Sequence, residues 1–257
     1  MKKVQNSNIS FLFFLVLLTY SLDSFSRCDR DNFTIAIDIG HTKDNSGAIS
    51  SRGIPEFYFN QNIVQLLFRE FSQYGFKKTF IINEEGSDIS LTERTEIANK
   101  LQSDLFLSIH HDSVQPQYLS SWIYEGKEFL YCDKFNGYSL FYSRKNHESE
   151  SSLEFANLLG SELRDNLFVP TLHHAENIKG ENRKLVDKEK GIYEYNDLVV
   201  LKTTKMPAVL IECGIIVNRN EEILLSNPVY QKMIVLSIRN AVEKFCERTI
   251  NRLEGMK

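Results

Sequence analysis

Apolar residues along this chain alternate between short continuous runs and longer stretches spaced by three and four. Residues 33–38 form one such run, closed by Gly40, as a buried strand does. Over 56–74 the apolar positions Phe59, Ile63, Leu66, Leu67 and Phe71 keep the helical period, and Gly75 ends it. Residues 78–82 predict a second strand. Ser90-Leu-Thr-Glu93 is a capping-box pattern that opens a helix to about Gln102, and 105–109 predict the next strand. From 113 to 136 the pattern turns irregular and aromatic, with Tyr118, Trp122, Tyr124, Phe129, Tyr131 and Phe135. This reads as an excursion from the sheet, serving either as a stacking surface for sugar rings or as a satellite cluster beneath a long loop. Further on, 138–142, 197–201 and 208–211 predict strands and 152–166 a helix. The charge-rich stretch 179–190 reads as a solvated loop. Pro228 opens a last amphipathic helix carrying Val229, Met233, Leu236, Ile238, Val242 and Phe245. The alternation predicts an α/β fold: a mainly parallel twisted sheet flanked by helices on both faces, with its functional side chains at strand C-terminal ends.

Composition adds limits. A chain of 257 residues, 42% hydrophobic and 25% charged, suits one globular domain, read here as residues 33–250. The net charge of −4 and the lack of a strongly basic run argue against nucleic acid as a partner. Lys2 and Lys3 precede an apolar run over 9–20, the length of a secretory signal core and short of the roughly 20 residues of a membrane span. Residues 1–26 are therefore read as a signal peptide, cleaved after Ser26, with an uncleaved anchor as the rival. The mature protein would be exported to the periplasm or cell envelope and keep no stable membrane span. Cys28, Cys132, Cys213 and Cys246 permit two disulfides in any of three connectivities, or buried free thiols.

Two strands end in histidine: Ile37-Asp-Ile-Gly-His41 and Leu107-Ser-Ile-His110. A strand that delivers an imidazole at its C-terminal edge is one way to build a metal site on an open sheet. Glu56 begins a helix close after His41, and Glu212 ends the strand 208–211, so all four converge on one rim. His41, Glu56 and His110 would supply the nitrogen and oxygen donors of a hydrolytic zinc and leave a position for water. Glu212 would stand outside the coordination sphere as general base. Each residue alone has a plainer reading: a hydrogen-bonded surface histidine, or an acidic residue favoured by a helix N-terminus. Glu212, behind three apolar strand residues, seldom occurs without a partner or a purpose.

With these residues in order, the chain from about Phe33 to Phe245 resembles the zinc-dependent N-acetylmuramoyl-L-alanine amidases of bacterial cell-wall remodelling. Residues 37–41 resemble the family's first metal motif, and Glu56 opens the helix that bears its second ligand. Leu91-x-x-Arg94-x-x-x-Ala98-Asn99 leads to the third at Ser108-Ile-His110. Lys205-Met-Pro-Ala-Val-Leu-Ile-Glu212-Cys-Gly214 with Asn218 resembles the segment bearing the catalytic glutamate. The resemblance implies Zn²⁺ as cofactor, peptidoglycan as substrate and a protein activator as a further partner. It implies hydrolysis of the amide between N-acetylmuramic acid and the L-alanine of the stem peptide. The same four groups would also serve a zinc carboxypeptidase acting on stem peptides, and a non-catalytic peptidoglycan-binding protein is a third reading. Two features depart from the family pattern: His111 follows the third ligand, and the stretch 113–136 is long. Adjacent strand residues point to opposite faces, so His110 is taken as the ligand. His111 is expected to line the cleft or, more simply, to hydrogen-bond internally. His174, in His173-His174-Ala-Glu176, is either a polar group near the site or part of a loop.

Overall fold

The computed structural model describes residues 27–255. Strand β1 (Thr34–Ile39) leads into helix α1 (Glu56–Tyr74), strand β2 (Lys78–Ile82), helix α2 (Leu91–Lys100) and strand β3 (Leu105–Asp112). A hairpin, β4 (Ser120–Tyr124) and β5 (Lys127–Tyr131), precedes β6 (Ser139–Tyr142) and α3 (Ser149–Asp165). Then come β7 (Lys184–Asp187), β8 (Ile192–Glu194), α4 (Val199–Lys202), β9 (Ala208–Ile215), α5 (Glu221–Leu225) and α6 (Pro228–Gly255). Seven strands form one sheet in the order β2-β1-β3-β9-β6-β8-β7. Strands β2, β1, β3 and β9 are parallel, whereas β6 runs antiparallel to β9 and β7 antiparallel to β8.

Helices cover both faces, and side-chain parity decides which residue meets which layer. Odd positions of β1 and β3, such as Ile35, Ile37, Leu107 and Ile109, pack with Phe57, Leu67 and Phe71 of α1, Phe155 of α3 and Phe245 of α6. Even positions Ala36 and Phe106, with Ala208 and Leu210 of β9, meet Ala98 of α2 and Val200 and Leu201 of α4. The same parity carries Asp38, Ser108, His110 and Glu212 onto the α2 and α4 face. There the helices are short, and a cleft stays open beyond the strand ends.

Three local expectations are corrected. Residues 197–201 do not form a strand: Val199–Lys202 is one helical turn that buries Val200 and Leu201, and an apolar run this short carries no decisive period. The excursion 113–136 contains a regular antiparallel hairpin, with Trp122 opposite Phe129. Its two-residue turn places Glu125 and Gly126 at positive φ, the I′ arrangement that matches strand twist. The supposed solvated loop 179–190 holds β7, a short sheet-edge strand whose Lys184 is exposed, as edges that must avoid further pairing commonly are.

Of the cysteines, Cys28 and Cys246 form a disulfide that ties the segment before β1 to α6, while Cys132 and Cys213 are buried free thiols. Among the described residues no helix is long and apolar enough to cross a membrane. The expected signal peptide, residues 1–26, lies outside the described residues.

Candidate metal centre

His41, Glu56 and His110 come together at the C-terminal edge of β1 and β3, their donor atoms all within 4.8 Å of one another. His41 Nε2 lies 3.0 Å from Glu56 Oε2, and His110 Nδ1 lies 3.1 Å from Glu56 Oε1. Two atoms bound at about 2.0–2.1 Å in tetrahedral array stand about 3.4 Å apart, so this spacing suits a common cation with little movement. Glu56 is the first residue of α1, after Pro55, where the helix N-terminus favours a carboxylate. Burial opposes its ionisation, but the neighbouring His110 and His41 hold the carboxyl well below its usual range. Backbone space is matched to the cluster. A Cβ at Gly47 would meet Glu56 Oε2 at 2.4 Å and His41 at 2.6 Å, and one at Gly40 would meet the His110 ring at 2.5 Å.

The donors are braced from behind. The Ala48 amide donates to Glu56 Oε2, and the Asn60 side-chain amide and the His111 backbone amide donate to Oε1. His41 sits at φ 67°, a left-handed conformation that costs a non-glycine residue free energy. Arg94 holds it there, because its buried guanidinium donates to the carbonyls of Ile39 and His41 and pairs with Asp38 at 2.7 Å. Asp38 in turn accepts from Ser108 Oγ at 2.8 Å. His111 points to the other face, as parity demands. It is buried, with Nδ1 2.7 Å from Asn60 Oδ1, and burial pushes its imidazole down to about 3.

Glu212 pairs in register with His110 across the β3–β9 ladder, so both side chains rise from the same face on adjacent strands, about 4.8 Å apart. Its Oε2 is buried without a hydrogen-bond partner. Burial, then the charges of Asp112, Glu56 and Glu181, push its carboxyl well above the usual range. Two lobes of the cleft, of about 370 and 270 Å³, share His41 and His110 in their walls, and the smaller also contains Glu212, His174 and Glu181. The structure thus brings His41, His110 and Glu212 to one cleft, with Glu56 buried against the two histidines. It adds several that periodicity did not single out: Asp38 on β1 and its register partner Ser108 on β3, Asn60 one turn after Glu56, and Asp112 on the same face as His110. The signal for Asp112 was parity, two residues beyond a strand-end histidine.

His174 is part of the cleft wall rather than a free loop residue. It lies in the 3₁₀ turn His173–Ala175, with Nε2 2.8 Å from Asp112 Oδ2 and Nδ1 2.8 Å from Glu181 Oε2. Burial disfavours its charge, but the two carboxylates outweigh that and raise the imidazole to about 9. Trp122, by contrast, is engaged in packing. Its Nε1 donates to Ser51 O at 2.7 Å, and the Arg52 and Arg219 guanidiniums lie over its ring.

The family model described as N-acetylmuramoyl-L-alanine amidase matches residues 35–244. The chain belongs to the N-acetylmuramoyl-L-alanine amidase family. It is a hydrolase of that kind, and its substrate is cell-wall peptidoglycan. A protein of Buchnera aphidicola subsp. Baizongia pistaciae, assigned as an N-acetylmuramoyl-L-alanine amidase, is 26% identical over 221 residues, covering 85% of this chain and 98% of the relative. The amidase fold is shared with Ami1 of Mycobacterium smegmatis at a TM-score of 0.64 and 20% identity, over 84% of this chain and 97% of Ami1. It is shared as well with the CwlD amidase of Clostridioides difficile, solved in complex with the GerS lipoprotein. That likeness has a TM-score of 0.61 and 22% identity, over 83% of this chain and 98% of CwlD.

Proposed function

We propose that this amidase is an exported, zinc-dependent enzyme in which His41, Glu56 and His110 hold the ion and Glu212 is the general base. The observation that supports this most is the placement of an unpartnered, buried Glu212 oxygen beside a three-donor cluster of nitrogen and oxygen ligands. Such a donor set suits Zn²⁺, and the ion supplies a positive charge that polarises the amide carbonyl and acidifies water. Glu212 accepts a proton from the water that attacks the lactyl carbonyl. It then delivers that proton to the L-alanine nitrogen as the carbon–nitrogen bond breaks. Asp38, Arg94 and Asn60 keep the donors in place, and the cleft lobe lined by Asp88, Ser90 and Leu91 gives the substrate room beside them. Residues 33–250 make up the catalytic domain, acting in the cell envelope after removal of residues 1–26. The GerS complex of CwlD supports a protein activator as an additional partner.

Digestion of purified sacculi, with the released termini identified by mass spectrometry, tests the reading. Free stem peptides beginning with L-alanine are expected. Released D-alanine would indicate a carboxypeptidase, and no release would indicate a binding protein. Glu212→Gln should keep the fold and the zinc held by His41, Glu56 and His110 while turnover falls by about 10² to 10⁴. Loss of zinc from that variant would make Glu212 a ligand, and near-normal turnover would remove it from catalysis.

A further inference from the structure

A second cluster of metal-ligating side chains lies beyond His110 on the same strand. Asp112, at the end of β3, faces His173 and His174 on the 3₁₀ turn, and a donor atom from each lies within 4.8 Å of the others. Asp112 Oδ2 is 2.8 Å from His174 Nε2 and 3.4 Å from His173 Nε2. Atoms bound to one ion at about 2.0–2.1 Å stand about 2.8–3.4 Å apart for angles between right and tetrahedral.

Two further observations point to a ligand. His173 has a side chain only 1% exposed, yet its Nε2 has no hydrogen-bond partner. A buried polar atom left unpaired is destabilising, so an orphan aimed at a carboxylate and another imidazole calls for an occupant. Secondly, each imidazole is held by its opposite nitrogen. Thr171 Oγ1 lies 2.9 Å from His173 Nδ1, and Glu181 Oε2 lies 2.8 Å from His174 Nδ1. Glu181 is itself fixed by Gln115 Nε2 at 2.8 Å. Partners of this kind on the far nitrogen orient metal-binding histidines and turn Nε2 toward the ion.

We infer that Asp112, His173 and His174 form a second site for a divalent first-row transition ion, zinc by the chemistry of its donors, distinct from the His41, Glu56 and His110 centre. Two imidazoles and one carboxylate favour such an ion over calcium or magnesium, which take oxygen. The ion would join the end of β3 to the segment 171–187, from which His174, Gly180, Glu181 and Arg183 wall the smaller cleft lobe. The site therefore acts on the shape of the substrate cleft rather than on the reacting amide.

The test counts ions and follows the clamped segment. The purified chain, loaded with zinc and dialysed free of excess, should hold two equivalents by elemental analysis. His173→Gln should hold one, His41→Ala should hold the other, and the double variant neither. Amide hydrogen exchange over 171–187 should slow on loading in the wild type and in His41→Ala but not in His173→Gln. Should His173→Gln fold poorly, Asp112→Asn, a near-isosteric change, reads the same loss. One equivalent in the wild type, lost wholly in His41→Ala, would overturn the second site and leave an Asp112, His174 and Glu181 ion network in its place. One equivalent lost only in His173→Gln would support this site while overturning the first, so the two readings fail separately.

Discussion

Arg94 offers the most direct measure of how the first centre is held. Its guanidinium serves the Asp38 carboxylate and the carbonyls of Ile39 and His41 together, and the paired side chains are 2% and 1% exposed. In Arg94→Met the Asp38 carboxylate would remain buried with Ser108 Oγ alone, and two carbonyls would lose their donor. Removing one partner of a buried pair costs about 3–5 kcal/mol, mostly because the remaining charge is stranded. Removing both strands no charge and leaves only the two carbonyls without their donor, so Arg94→Met with Asp38→Asn should recover much of that loss, to within about 1–2 kcal/mol of wild type. Because the same guanidinium braces His41 in its left-handed conformation, zinc affinity should fall by about 10- to 100-fold, the usual effect of removing an outer partner of a ligand. Urea denaturation of the metal-free chain, followed by fluorescence of its single tryptophan, gives the stability, and competition with a chromophoric chelator gives the affinity. A loss below about 1 kcal/mol, or a double variant as unstable as Arg94→Met, would refute the stranded-charge reasoning. Unchanged affinity would refute the bracing of His41.

Other outcomes follow from the same structure. Burial raises Glu221 to about 7 despite hydrogen bonds from Ile215 and Gly137 amides. The folded state then holds a proton the unfolded chain releases near 4.3, so stability should be lost as pH rises from about 4.5 toward 7, by at most about 1.4 kcal/mol per pH unit. Glu221→Gln should flatten that slope in denaturation curves, and an unaltered slope would exclude Glu221 as its source. Trp122→Ala should lower the melting temperature and reduce turnover of polymeric peptidoglycan and of a small muropeptide alike, since the indole packs on Ser51 and two arginines. A loss confined to the polymer would instead make the hairpin a glycan-stacking surface. Cys28→Ser opens a link between residues 218 apart and should cost about 2–5 kcal/mol by denaturation under oxidising conditions. A cost near zero would mean the crosslink does not restrict the unfolded chain.

Most of the layered fold was legible in local pattern, because a buried parallel strand must be continuously apolar and a covering helix must repeat every three to four residues. The runs at 33–38, 105–109 and 208–211, and the period of α1 and α6, follow from that requirement alone. The same strand geometry separates His110 from His111 in the sequence alone, since neighbouring side chains on a strand cannot share a face. Short and edge elements were not legible. Val199–Lys202 is too brief to show a period, and β7 has four residues of mixed character, none fully buried, because an edge faces water. Only the three-dimensional arrangement could choose Cys28 and Cys246 among the possible pairs, or show that Arg94 braces the His41 loop. It alone set His173 and His174 against Asp112, some sixty residues away in sequence. A sequence specifies which side of its own element each side chain faces. Which distant side chain it meets there depends on strand order and connection, and these arise only when the whole core packs.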